Sequence, residues 1–190
     1  MNLLTDKLPS AVLVDGKNYA VFTDFQSWIS FFELVENRDI ADELKMILAM
    51  KLFKDEVPPN KSAALCSLYN FAACRDVPRA GKQNPEAPEE SGTKKPCLSW
   101  LYDAPFVIGA FKSVYDIDLI ENTDMHWYKF FALFMALPDD TPIKQRMSLR
   151  QTRAGEIKDK ERRRQIRAAQ RAIAIPCPVM TAEQIGEAFM

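Results

Sequence analysis

The apolar positions of the chain fall into one short β-like stretch followed by a series of helical stripes. Residues 11–23 place β-branched and aromatic residues on both sides of Asp15-Gly16. That arrangement predicts a hairpin with a type I′ turn, because both turn positions need positive φ. Thr23 or Asp24 then has the chemistry of a helix N-cap, and Phe25, Trp28, Ile29, Phe32 and Val35 recur at helical spacing to about Asn37. A second helix, with Asp39 as its cap, would present Ile40, Leu44, Ile47, Leu48 and Leu52 on one face. Met46, Met50 and Phe53 would form another, so this helix is expected to be covered on two sides. Val57-Pro58-Pro59-Asn60 interrupts the rhythm, and a third helix is expected from about Lys61 to Cys74 through Ala64, Leu65, Leu68 and Phe71.

The pattern stops after Arg75. From Asp76 to Pro96 the chain has four prolines (Pro78, Pro85, Pro88 and Pro96), and its one strongly apolar residue is Val77. Such a stretch buries too little surface to offset its ordering entropy, which predicts a flexible linker. Beyond it, Asp103 is a candidate cap and Pro105 suits a first turn, for a helix to about Val114. After a short link at Asp116–Ile120, a helix starting near Thr123 or Asp124 carries Trp127, Phe130, Phe131, Phe134 and Met135 on one side. Further helices are expected over Pro142–Arg150 and Glu156–Ile173, and a short amphipathic turn over Thr181–Met190. The fold class is mainly α: a helical bundle-like domain with a short N-terminal β-hairpin and a flexible Pro-rich linker. The parts are 1–75, the linker 76–97, a helical part 98–175 able to pack with the first as one domain, and a tail 176–190.

Composition removes chemistry. Of 190 residues, 25 are Lys or Arg and 26 Asp or Glu, for a net charge of -1, so no overall field favours nucleic acid or acidic lipid. One His excludes a two-His zinc site and an HExxH protease. The four cysteines (Cys66, Cys74, Cys97 and Cys177) form no CxxC pair, so no metal centre is expected, and a chain this large does not need a disulfide framework. With 6 Gly there is no GxGxxG or GxxxxGK[ST] loop, and no GxSxG elbow occurs. No catalytic activity, cofactor or metal is expected. His126, next to the aromatic stripe, is expected to cap or pack in a first helical turn. With no signal-like N-terminus and no apolar run long enough to span a bilayer, the expected location is the cytoplasm.

Local charge changes this picture. Between Lys144 and Arg171 lie eleven basic residues against three acidic, a net +8. One reading is a solvated helix supported by Glu156–Lys160 and Asp159–Arg163 pairs. The others are contact with an acidic protein or with nucleic acid. The absence of aromatic residues from the run disfavours base stacking. The candidate partner-binding residues are Arg162, Arg163, Arg164 and Arg167, with Trp127 and Phe131. For the last two, the same spacing also fits a buried core stripe.

Several short motifs occur in a characteristic order. They are Asn2–Pro9, a Val-Asp-Gly hairpin, Thr23-Asp24-Phe25 with Trp28, Tyr102-Asp103-Ala104-Pro105, Tyr115–Leu119, His126–Phe130, Leu137–Thr141 and Ile157–Glu161. In these the chain resembles the bacteriophage gene-product-fifteen family, found in the tail gene clusters of long-tailed phages and prophages. Genes of that type lie between those of the major tail protein and the tape-measure protein, where tail assembly chaperones are encoded. The resemblance therefore implies a chaperone-like protein of the host cytoplasm that binds the tape-measure protein. Other tail proteins and self-association are further partners to consider. The alternatives are a structural tail or neck component of the virion, and a nucleic-acid-binding protein using residues 144–171. The family pattern carries no catalytic residues to transfer.

Overall fold

The structure is a computed structural model that describes residues 1–78 and 96–176. Strands β1 (Ala11–Val14) and β2 (Lys17–Ala20) pair antiparallel, with Val14 opposite Lys17 across Asp15-Gly16. Asp15 has φ 48° and Gly16 φ 82°, the two positive values a type I′ turn requires. Val12, Val14 and Tyr19 point into the core, while Leu13 faces out. The chain after β2 extends the ribbon, because Val21 bridges Phe53 and the Phe22 N–H donates to the Leu52 carbonyl at 2.9 Å.

Helix α1 (Phe25–Glu36) starts at Asp24, whose carboxylate accepts the Ser27 N–H at 2.8 Å, and it buries Phe25, Trp28 and Phe31. Helix α2 (Asp42–Ala49) differs from expectation. Asp39 does not cap it; the Asp39 N–H donates to the Asn37 side chain at 2.8 Å, in a local turn that holds the chain out of the helix. Nor is α2 covered on two sides. Leu44 and Ile47 lie open at 47% and 54% exposure, while Ala49, Met50, Leu52 and Phe53 take the buried positions. Helix α3 (Lys61–Ala72) is capped by Asn60, and its Ser67 hydroxyl donates to the Leu13 carbonyl of β1.

Helix α4 (Trp100–Tyr115) begins earlier than expected. Ser99 is its cap, Asp103 is buried within the first turns, and Pro105 sits inside the helix. Helix α5 (Trp127–Met135) is capped by His126, not by Thr123 or Asp124. The cause is tertiary: Asp24 and His126 form an antiparallel bridge. The Phe25 N–H donates to the Met125 carbonyl, and the Trp127 N–H to the Thr23 carbonyl. Extended backbone on both sides of that bridge forbids an earlier helix start. Helix α6 (Pro142–Gln151) matches its pattern. The last helix does not start at Glu156. Ala154–Glu156 is a 3-10 turn, and α7 (Lys160–Ala172) begins only after Asp159 caps it.

Both sides of residues 79–95 contribute to one core. Phe25 stacks on Phe130 at 4.8 Å between ring centroids, Phe130 on Phe111 at 5.0 Å, and Trp28 on Phe71 at 4.5 Å. The fold is therefore mainly α with an N-terminal hairpin, and parts 1–75 and 98–175 pack together. Most of the expected linker, residues 79–95, lies outside the described residues. So do Cys177, the Thr181–Met190 turn and nearly all of the tail.

Candidate partner-binding face

The basic run divides into residues turned inward and residues turned out. Arg150, in the last turn of α6, is the pivot of the inward set. Its Nη2 donates to Asp103 Oδ1 at 2.9 Å, its Nη1 to Asp103 Oδ2 and to the Cys97 carbonyl, and its Nε to the Ile173 carbonyl at 2.9 Å. Arg146 adds a bond from Nε to Asp103 Oδ1 at 3.2 Å, and its guanidinium lies 4.2 Å from the Phe106 ring centroid. Asp103 Oδ2 also accepts the Ser99 N–H at 3.0 Å. The Asp103 side chain is fully enclosed and that of Arg150 nearly so. Burial alone would raise the Asp103 carboxyl, but the Arg150 guanidinium, the Ser99 N–H and Arg146 outweigh it and hold the group below its ordinary value. The planar fork of arginine matches the carboxylate on two bonds, which lysine cannot do.

This cluster fixes α7 from behind. Arg150 grips the carbonyl at its C-terminal end, where a cation complements the helix dipole. Gln170 Nε2 donates to the carbonyls of Leu149 and Thr152 at 2.9 and 2.7 Å. Ile166, Ala169 and Ile173 are half-buried on the inner edge of the helix, yet no residue of α7 is fully buried. A helix held in this way shows its polar face to solvent along its whole length.

That face is cationic. Six basic residues of α7 stand against Glu161, and a shallow groove along the helix is lined by Lys160, Arg163, Arg164, Arg167 and Arg171. The expected supporting pairs are absent here. Asp159 uses its carboxylate to accept the Arg162 N–H at 2.6 Å, and Glu156, outside the helix, pairs with Arg153 at 3.3 Å. Lys160 and Arg164, Arg163 and Arg167, and Arg167 and Arg171 are instead like charges four residues apart, a spacing that disfavours an isolated helix.

Of the sequence-predicted residues, Arg162, Arg164 and Arg167 are exposed on α7 and Arg163 is half-buried. Trp127 is not part of any surface: it has no exposed area, and its Nε1 donates to the Ala72 carbonyl at 2.9 Å. Phe131 is half-buried against the Trp127 ring at 5.7 Å. Their helical spacing thus belongs to the core, which is the simpler of the two readings. Arg146 and Arg150 belong to the same basic run in the sequence, yet they serve the interior. The one signal for this was an acidic residue, Asp103, among the apolar residues that open α4.

His126 binds two partners at once. Its Nδ1 accepts the Tyr128 N–H at 3.1 Å and its Nε2 lies 3.0 Å from the Pro9 carbonyl, which together require the neutral tautomer protonated on Nε2. Burial lowers its pKa, against a smaller opposing effect of the Pro9 carbonyl. Next to it, the Tyr128 hydroxyl donates to the Asp76 carboxylate, and burial together with that partner pushes the phenol far upward. Among the described residues, no group of three or more His, Cys, Asp or Glu side chains could hold a metal ion. No described helix is long and apolar enough to cross a membrane.

The family model described as Bacteriophage Gp15 protein covers residues 4–175, nearly all of the described chain. No curated protein and no solved structure matches it.

Proposed function

Because the chain belongs to the Bacteriophage Gp15 protein family, and so is a phage structural or assembly protein that works with other phage proteins, we propose that it acts as a tail assembly chaperone. In this reading it binds the tape-measure protein in the host cytoplasm while the tail is built, and it has no catalytic role. The observation that carries the reading is α7. It is anchored by hydrogen bonds of Arg150 and Gln170, has no fully buried residue, and presents a cationic face along its length. A holding protein needs such a standing surface, since recognition of long helical proteins commonly works by laying one helix against another.

Coexpression with the tape-measure protein of the same phage, followed by pull-down of a tagged chain, tests this. The expected result is co-purification and a larger soluble fraction of the tape measure. Absence of both, with the chain folded, rejects the reading. Mass spectrometry of purified particles separates it from the virion-component alternative: stoichiometric copies in mature tails would show a structural part in place of a chaperone.

A further inference from the structure

Deepening the assembly reading, on which it rests, we propose that the stripe Lys160, Arg163, Arg164, Arg167 and Arg171 is a docking surface for an acidic α-helical segment of a protein partner. The five residues line one groove along α7. Their spacing of three and four residues keeps them on one face over about 16 Å, roughly three helical turns. Among the described residues, none of the five side chains makes a hydrogen bond or ion pair. A facing helix with carboxylates at the same rhythm would meet every cation in register and relieve the like-charge repulsion within α7.

The occupant follows from charge. The whole chain carries -1, so a long polyanion would meet a basic face barely three turns long on an otherwise acidic protein. No aromatic side chain lies in the run to stack on bases. Among the described residues, a second copy of the chain does not supply the complement either. Its described helices offer at most short acidic pairs, such as Glu33 with Glu36 and Asp42 with Glu43, and no carboxylate stripe. A short acidic helix matches the face in both length and sign.

The test uses the full chain and a labelled helical peptide with glutamates at i, i+4, i+7 and i+11, followed by fluorescence anisotropy at low and high salt. A peptide of the same composition with its glutamates scattered around the helix is one control. A duplex of about 20 base pairs, longer than the stripe, is the other. The patterned peptide should bind, weaken with salt, and bind better than the scattered one. Arg163→Glu/Arg164→Glu/Arg167→Glu should weaken it about tenfold or more with an unchanged melting curve. Should that variant unfold, Arg163→Gln/Arg164→Gln/Arg167→Gln reads the same loss without charge reversal. Equal binding of both peptides, or tighter binding of the duplex, overturns the proposal. Capture of the tape measure by the triple variant as well as by the wild type overturns it and leaves the chaperone reading standing. Peptide binding without any tape-measure capture does the reverse.

Discussion

Arg150 and Asp103, 47 residues apart in the chain, meet in a two-bond pair from which solvent is almost entirely excluded. The pair joins α4 to α6, and through the Cys97 and Ile173 carbonyls it also ties in the start of the second half and the end of α7. Asp103→Ala would leave two guanidinium groups facing a void. Removing one partner of a buried pair costs about 3–5 kcal/mol. Urea denaturation should show a loss of that order for Asp103→Ala, and a smaller one for Arg146→Ala, whose side chain is partly solvated. A loss within experimental error for Asp103→Ala would mean that the network carries no stability.

The same pair sets a response to acid. The Asp103 carboxyl is held below its ordinary value, so its contribution is complete above the unfolded-state pKa near 3.8 and is lost as pH falls through the lower folded value. Wild-type stability should therefore drop more steeply below pH 4 than that of Asp103→Asn. Parallel curves for the two proteins would contradict the assignment.

His126 predicts a second, milder response. Its folded pKa is depressed, so the neutral form is favoured by folding and stability falls as pH drops below the unfolded value of 6.5. Protonation removes the acceptor that caps α5 at the Tyr128 N–H. Between pH 7.0 and 5.5 the melting temperature of the wild type should decline. His126→Asn, a good N-cap that does not titrate, should decline less. The chain has no other His to confuse the comparison.

Trp127 separates core from surface. It is fully buried and bonded to the Ala72 carbonyl, so Trp127→Ala should cost about 3–5 kcal/mol. Ile47→Ser on the open face of α2 should change stability by no more than about 0.5 kcal/mol. Chemical denaturation of the two variants side by side checks both. A large loss for Ile47→Ser would mean that the outer face of α2 is covered after all.

Much of the fold is legible in local chemistry. Asp15-Gly16 specifies a turn that few other dipeptides allow, and Asp24 and Asn60 each accept the N–H that a helix start leaves unpaired. Pro142 suits the first position of α6. These features need only neighbours in sequence. One misplaced boundary is decided by a distant strand-like partner: α5 cannot begin before Trp127 because residues 125–127 pair with the chain entering α1. In α2 the apolar spacing is real, but Leu44 and Ile47 stay about half exposed, and periodicity alone cannot count the neighbours a face receives.

The candidate face was half visible. Eleven basic residues in one run mark the region, but a sequence count treats them alike. Tertiary structure sorts them, because Asp103, buried within the first turns of α4, draws Arg146 and Arg150 inward and leaves the cations of α7 outside.

The helical class, the hairpin and the family are written along the chain, since they follow from residue spacing, turn chemistry and motif order. That the two halves share one core, that Trp127 is interior and that α7 shows its cations to solvent emerge from the folded arrangement. Each of these depends on which distant groups exclude water from one another, and linear order does not record that.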